Sequence, residues 1–161
     1  MTDIIATPLT QQGFAPFGDV IEMVGAPDKI INQGFCGRWH DRARLDFGIG
    51  GRAGISVFLA EPRTLPYAFD LLERHPEGSQ AFLPMHGRDW LVIAAPDNDG
   101  KPGKPQAFLA TGQQGVNFHR GTWHGVLTPL QAPGLFAVVD RIGETPNLEE
   151  FRLDPQYVVK V

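Results

Sequence analysis

Prolines and glycines divide this chain into roughly ten short apolar segments, and this punctuation is the strongest constraint on its fold. The 161 residues include 14 prolines and 19 glycines, which interrupt any long helical period and place a turn about every 8–12 residues. Short strands at that spacing are typical of an all-β sandwich or barrel. We therefore predict an all-β fold with a rolled sheet, because closure of the sheet protects exposed strand edges.

Local patterns give specific predictions for several segments. Residues 10–17 hold at most one helical turn, with Thr10 as its N-cap, because this segment also contains a glycine and a proline. The apolar segments 81–85 and 90–95 flank a polar, glycine-containing turn and are predicted to form a hairpin. Residues 147–152 favour a brief helix before the last strand.

Length and charge set limits on the organisation of the protein and on its partners. No linker or shift in composition divides residues 1–161, so we expect one domain. The formal net charge of −4 gives no electrostatic reason to expect binding to nucleic acid or to an anionic membrane. Cys36 is the single cysteine, so no intrachain disulfide can form, and the N-terminal residues do not resemble a secretory leader. We expect a cytoplasmic protein.

Two polar segments interrupt the apolar pattern and carry most of the candidate chemistry. The first, residues 73–87, places Glu73 and His75 on one face of an extended strand, because side chains two positions apart point the same way. Gln80 follows after a turn. The second, residues 117–125, is the only other histidine-rich segment. We expect the two segments to face each other across one cavity.

The spacing within both segments resembles the two motifs of the cupin superfamily. The first motif's positions are occupied by Glu73, His75, Gln80 and Gly87, and the second motif's by His119, Gly121 and His124. Residues 71–85 and 115–124 are more specifically similar to the ureidoglycolate lyase family. The similarity covers nearly the whole chain, including residues 17–21, 38–41 and 140–141.

This resemblance implies a homodimeric, cupin-like double-stranded β-helix, a jelly-roll barrel with only minor short helices. It implies the cleavage of (S)-ureidoglycolate into glyoxylate and urea during allantoin breakdown, part of purine degradation. A divalent metal is the implied cofactor, with nickel as the named candidate, and the motif positions make Glu73, His75, Gln80 and His124 its ligands. Glu73 and Gln80 stand where a three-histidine cupin has a histidine and a glutamate, so we expect weaker metal binding here.

The implied substrate also suggests roles for individual residues. Ureidoglycolate is a carbinolamide, so its cleavage needs a base for the hydroxyl proton and an acid for the departing urea nitrogen. Glu73 is our candidate base, and His119 or His124 our candidate acid. The substrate carboxylate calls for an arginine, and the candidates for substrate binding are Arg38, His40, Arg74, Arg120, Asp140 and Arg141.

Other functions are compatible with the same residues. An amidohydrolase acting on ureidoglycolate would begin from the same bound substrate but release ammonia in place of urea. A metal-free cupin isomerase or epimerase would use His75 or His119 as its base. A non-catalytic module that binds a small carboxylate is the third alternative.

Overall fold

The structure is a computed structural model that describes residues 1–161. It consists of seventeen strands, one α-helical turn and one 3-10 turn. The strands are β1 (Thr2–Ile5), β2 (Thr7–Pro8), β3 (Gly18–Ile21), β4 (Lys29–Ile31), β5 (Cys36–Arg38), β6 (Arg52–Leu59), β7 (Tyr67–Arg74), β8 (Gln80–Pro84), β9 (Trp90–Ala95), β10 (Asp97–Asn98), β11 (Lys101–Pro102), β12 (Gln106–Ala110), β13 (Gly115–Phe118), β14 (Trp123–His124), β15 (Thr128–Pro129), β16 (Leu135–Ile142) and β17 (Glu149–Lys160). The helical turns are α1 (Gln11–Phe14) and the 3-10 turn Asn32–Gly34.

Two sheets build the body of the molecule. The larger has eight strands in the order β1-β17-β7-β14-β9-β12-β2, with β15 pairing with β9 at the side, and the smaller has the order β3-β13-β8-β16-β6. Two short two-stranded ladders, β4-β5 and β10-β11, lie outside them. This barrel-like architecture confirms the predicted all-β, cupin-like fold.

An aromatic core holds the two sheets together. Phe82 and Phe118 from the smaller sheet and Trp90 from the larger sheet belong to one buried cluster, which α1 joins through Phe14. A second buried cluster is built from the larger sheet alone and includes Trp123. Every residue of β9 is buried, so this strand contributes to both clusters.

The predicted hairpin of residues 81–85 and 90–95 is wrong. Strand β8 pairs with β13 and β16 in the smaller sheet, whereas β9 pairs with β12, β14 and β15 in the larger. The intervening turn carries the chain from one sheet to the other. An apolar segment followed by a turn has the same local pattern in both cases, because only long-range pairing distinguishes them.

The helical predictions have mixed outcomes. The single turn after Thr10 is confirmed as α1, and the Thr10 hydroxyl accepts a hydrogen bond from the Gly13 N–H at 3.0 Å. The brief helix predicted at residues 147–152 is wrong, because β17 begins at Glu149 and pairs with β7. Tertiary pairing overrides a weak local helical preference there.

No helix in the structure is both long enough and apolar enough to cross a membrane.

Candidate metal and catalytic site

Glu73, His75 and His124 converge at one point of the larger sheet. Glu73 lies near the end of β7 and is the direct cross-strand partner of His124 on β14. One ligand atom from each of these three residues lies within 4.8 Å of the others, and the two imidazole rings are 5.3 Å apart between centroids. The structure thus brings together residues from both polar segments singled out in the sequence.

Backbone carbonyls fix the tautomers of both histidines. The Nδ1 of His75 lies 2.7 Å from the carbonyl oxygen of Asn147, and the Nδ1 of His124 lies 3.0 Å from that of Gly125. A carbonyl oxygen can only accept, so each Nδ1 carries the proton and donates it. Each Nε2 is therefore left with a free lone pair, and both Nε2 atoms are buried without a hydrogen-bond partner.

Burial controls the protonation of this site. The pKa of His124 is lowered to about 3, mainly by desolvation and also by the neighbouring His75, against a smaller opposing effect of the hydrogen bond to Gly125. Desolvation also raises the pKa of Glu73, and the charge of Glu150 adds to that rise while His75 opposes it. His124 is consequently neutral near pH 7, which suits a metal ligand and disfavours the imidazolium form that a proton donor would use.

The donor set fits a divalent metal ion. Two imidazole lone pairs and a carboxylate at this separation are a common combination for first-row divalent metals. Two buried Nε2 atoms without partners are costly unless something binds them. The structure therefore supports a divalent-metal site at Glu73, His75 and His124.

Gln80 lies beside this cluster on the facing sheet. It pairs in register with Phe118, whose ring stacks on His124 at 4.4 Å between centroids. The Gln80 amide N–H donates to Asp140 at 3.1 Å, while its Oε1 is buried without a partner. Gln80 and Asp140 thus form a polar pair next to the histidines.

Arg74 points away from the cluster and stabilises the strands behind it. Adjacent strand residues face opposite sides of a sheet, and the Arg74 guanidinium pairs with Asp97 at 2.8 Å and with Glu149 at 2.6 Å. It also stacks on Trp123 at 4.6 Å, and the Trp123 indole N–H donates to Asp97 at 2.8 Å. The closed ring of Arg74, Asp97 and Trp123 joins β7, β10 and β14 directly behind Glu73 and His124, and Glu149 adds β17 to it.

Two of the other arginines proposed for substrate binding also have partners already. Arg120 holds Asp46 through two hydrogen bonds of 2.9 and 2.7 Å. Arg38 is exposed and donates to His40 at 2.7 Å.

Arg141 is nearly buried, with 5% of its side chain exposed. It donates to the Ile49 carbonyl at 3.1 Å, lies 3.8 Å from Glu77, and leaves its Nε without a partner. None of the recorded hydrogen bonds of the four arginines reaches Glu73, His75 or His124.

His119 lies on the other side of the smaller sheet from His124. Its Nε2 donates to Asp19 at 3.0 Å, and the same carboxylate oxygen accepts from the side chain of Asn117 at 2.9 Å. Asn117 precedes Phe118, which stacks on His124, so the two neighbouring side chains face opposite sides of the sheet. The structure therefore separates His119 from the cluster.

Sequence reasoning missed Asn147, which positions His75 through its backbone carbonyl and also accepts from the Glu77 N–H through its side chain at 2.7 Å. Its only local signal is its place after a proline in a loop, which does not specify a long-range contact. Asp19 was missed for the same reason, since its partners are about a hundred residues away along the chain.

Comparison with known proteins gives a consistent result. The family model described as ureidoglycolate lyase matches residues 1–160. A ureidoglycolate lyase of Rhodobacter capsulatus is 56% identical over 160 residues, which cover 99% of each chain. Proteins of the same name from Rhizobium etli and a Chelativorans species are 48% and 47% identical, and the matches cover 95% and 99% of this chain and 93% and 97% of the relatives.

Proposed function

The chain belongs to the ureidoglycolate lyase family, and from this premise we propose that it cleaves ureidoglycolate to glyoxylate and urea at the Glu73–His75–His124 cluster. The observation that carries the assignment to this site is the pair of buried, unpartnered Nε2 atoms facing a carboxylate. The substrate is a small hydroxy acid, and the reaction breaks its carbon–nitrogen bond.

Glu73 is the proposed proton carrier. Its carboxylate takes the proton of the substrate hydroxyl, the carbonyl of glyoxylate forms, and the carbon–nitrogen bond breaks with its electron pair moving to the urea nitrogen. Protonated Glu73 then returns the proton to that nitrogen, so the atoms balance without a second acid. The raised pKa of Glu73 supports this double role, because it brings the carboxyl group closer to the pH at which it must both accept and donate.

His75 and His124 are the proposed metal ligands, with the unpartnered Oε1 of Gln80 as a further donor. A divalent ion held there would supply positive charge next to the oxygen on which the carbonyl develops. Nickel is the ion we propose, on the family resemblance. His124 is neutral and has its one proton committed to a carbonyl, so we assign it a ligand role in preference to a catalytic acid role.

Arg141 is our proposal among the four arginines for the substrate carboxylate. Arg74 and Arg120 already hold carboxylates, whereas Arg141 has a buried Nε without a partner. Its side chain lies 3.8 Å from Glu77, whose backbone N–H donates to the same Asn147 that positions His75. Asp140 is then a residue that orients Gln80, while Arg38 and His40, which bond to each other at the surface, are secondary candidates.

We also propose that the protein acts as a homodimer. Strand β6 is an edge strand whose Ile55, Val57 and Leu59 are 78%, 66% and 72% exposed on one face. Their cross-strand partners on β16 extend this face with further apolar side chains. An exposed apolar edge of this kind favours pairing with a second copy.

We also propose a cytoplasmic location, which is expected from the single Cys36.

One assay tests the proposed reaction. The purified protein is incubated with racemic ureidoglycolate, with and without added divalent metal, and glyoxylate, urea and ammonia are measured. Equal amounts of glyoxylate and urea from one enantiomer are expected. Glyoxylate with ammonia and no urea would mean an amidohydrolase, and no turnover under any metal condition would favour a binding module.

A further inference from the structure

A second polar cluster lies on the outer side of the smaller sheet, and the proposed reaction makes no use of it. At its centre, one oxygen of Asp19 accepts three hydrogen bonds, from the His119 Nε2, the Asn117 side chain and the Arg44 backbone N–H. Asn117 is fully buried. This arrangement fixes the His119 ring with its Nδ1 directed away from Asp19.

Arg44 is held by its backbone while its guanidinium is left nearly free. Its N–H donates to Asp19 at 2.8 Å, and its carbonyl accepts from Asn117 at 3.0 Å. The guanidinium has one contact, a 3.5 Å approach of Nη2 to the Nδ1 of His119, and no carboxylate lies within 4.0 Å of it. A guanidinium whose attachment is rigid but whose donors are unused is suited to binding an anion.

A cavity of about 340 Å³ lies at this point of the surface. Its lining residues are Arg44, Leu45, Asp46, His119 and Arg120. Asp46 is already neutralised by two hydrogen bonds from Arg120, and it also accepts from the Gly48 N–H. With Asp46 and Arg120 paired, the Arg44 guanidinium is the unpaired charge on the cavity lining, while the Asp19 carboxylate lies behind the His119 ring and is not a lining residue. An unpaired guanidinium on the wall of a cavity favours an anionic ligand.

We infer that this cavity is a binding site for a small oxyanion, a carboxylate or a phosphate, held by the Arg44 guanidinium beside the His119 ring. Two oxygens of either anion match the paired N–H groups of a guanidinium. With Nε2 donating to Asp19, the Nδ1 of His119 accepts from Arg44, so the ring orients the guanidinium and the guanidinium holds the anion. The site is independent of the Glu73–His75–His124 cluster, since it shares no residue with it.

The test uses the whole, metal-free protein and two probes that it cannot cleave, glycolate and inorganic phosphate. Each probe is titrated while the ring nitrogens of the five histidines are followed by NMR. A saturable shift of the His119 signals is expected with at least one probe. Arg44→Gln should weaken that binding at least tenfold.

The matched control is Arg63→Gln. Arg63 is also exposed and has no carboxylate within 4.0 Å, but it is not among the residues that line this cavity. Binding should be unchanged in that variant. It should also persist in His75→Ala, which alters only the other site.

Three results would overturn the inference. These are no His119 shift with either probe, an equal loss of binding in Arg44→Gln and Arg63→Gln, or a loss of binding in His75→Ala. Because neither substrate nor metal is present, the result does not depend on whether the proposed lyase reaction is correct. Phosphate binding without glycolate binding would identify the site as one for phosphate, and the reverse as one for carboxylates.

Discussion

Glu73 and His124 form the only register pair between β7 and β14. Strand β14 has two residues, and its other neighbour is β9, which pairs with both of them. The relative position of the carboxylate and the imidazole is thus set by the backbone ladder and not by a bond between their side chains. Conservative changes to either side chain should therefore alter chemistry more than fold.

The replacement Glu73→Gln tests the proton carrier directly. It keeps the shape of the side chain but removes the proton acceptor, so kcat should fall by at least about 100-fold. The thermal midpoint should change little. Steady-state assays of urea release and thermal unfolding measure the two effects. Glu61→Gln is the control, because Glu61 is exposed and lies outside the site, and full activity in Glu73→Gln would remove Glu73 from the mechanism.

Arg74→Met tests the ring behind the site. The change removes the ion pairs to Asp97 and Glu149 and the stacking on Trp123, so we expect metal affinity to fall and unfolding to become easier by about 1 kcal/mol. Isothermal titration with a divalent metal measures the affinity, and Arg74→Lys should restore part of it.

Arg152→Met is the comparison for this effect. It breaks the ion pair between Arg152 and Asp70, which joins the same two strands, β17 and β7, but leaves the ring around Arg74 intact. An equal loss of metal affinity in both variants would mean that Arg74 acts only through general stability of the sheet.

Turn spacing was enough to predict the fold class, and the spacing of Glu73, His75 and His124 was enough to predict their convergence. Both are local or family-wide patterns that any similar chain would carry. Strand alternation correctly predicted that Glu73 and His75 lie on one face. Alternation is a property that a single strand determines by itself, whereas the convergence with His124 was predicted from the cupin-like spacing of two separate segments.

The remaining features depend on contacts that no local pattern encodes. The two histidines of the second segment were expected on one cavity, yet the chain turns after Phe118 and sends His119 to Asp19 and His124 to Glu73. The carbonyl of Asn147 reaches His75 across 72 positions of sequence. Backbone contacts of this kind leave no residue-type signal, because every residue has a carbonyl.

His124 should make stability depend on pH. Its pKa is about 3 in the folded chain and near 6.5 when exposed, so between these values the unfolded state binds more protons. The contribution of His124 to the free energy of unfolding is therefore fully present above about pH 6.5. It falls as the pH is lowered, by about 2 kcal/mol at pH 5. Urea unfolding in chelator at pH 7 and pH 5 measures the change. His124→Gln should lose this part of the slope, and an unchanged slope would contradict the assignment.

Val57→Asp should convert the proposed dimer to a monomer. A charge at the centre of the exposed face of β6 would have to be desolvated between two copies. Light scattering after size-exclusion chromatography should then give the 17.7 kDa mass of one chain. Ile5→Asp is the control, since Ile5 is 63% exposed on a different sheet. A wild-type mass of one chain, or a dimeric Val57→Asp variant, would contradict the proposed interface.

The last prediction concerns the strength of metal binding, and it follows from the ligands. Two imidazoles and the neutral amide of Gln80 supply less charge than a site in which a glutamate stands at the Gln80 position, and the aromatic core needs no metal to fold. Protein dialysed without metal should be metal-poor by elemental analysis yet give an unchanged circular dichroism spectrum. Added nickel or manganese should raise turnover, and His75→Ala should weaken metal binding at least tenfold, whereas His40→Ala at the surface should not. Tightly held stoichiometric metal after dialysis would refute the prediction of weak metal binding. Undiminished turnover in strong chelator would mean that Arg141, and not a metal, stabilises the developing oxyanion.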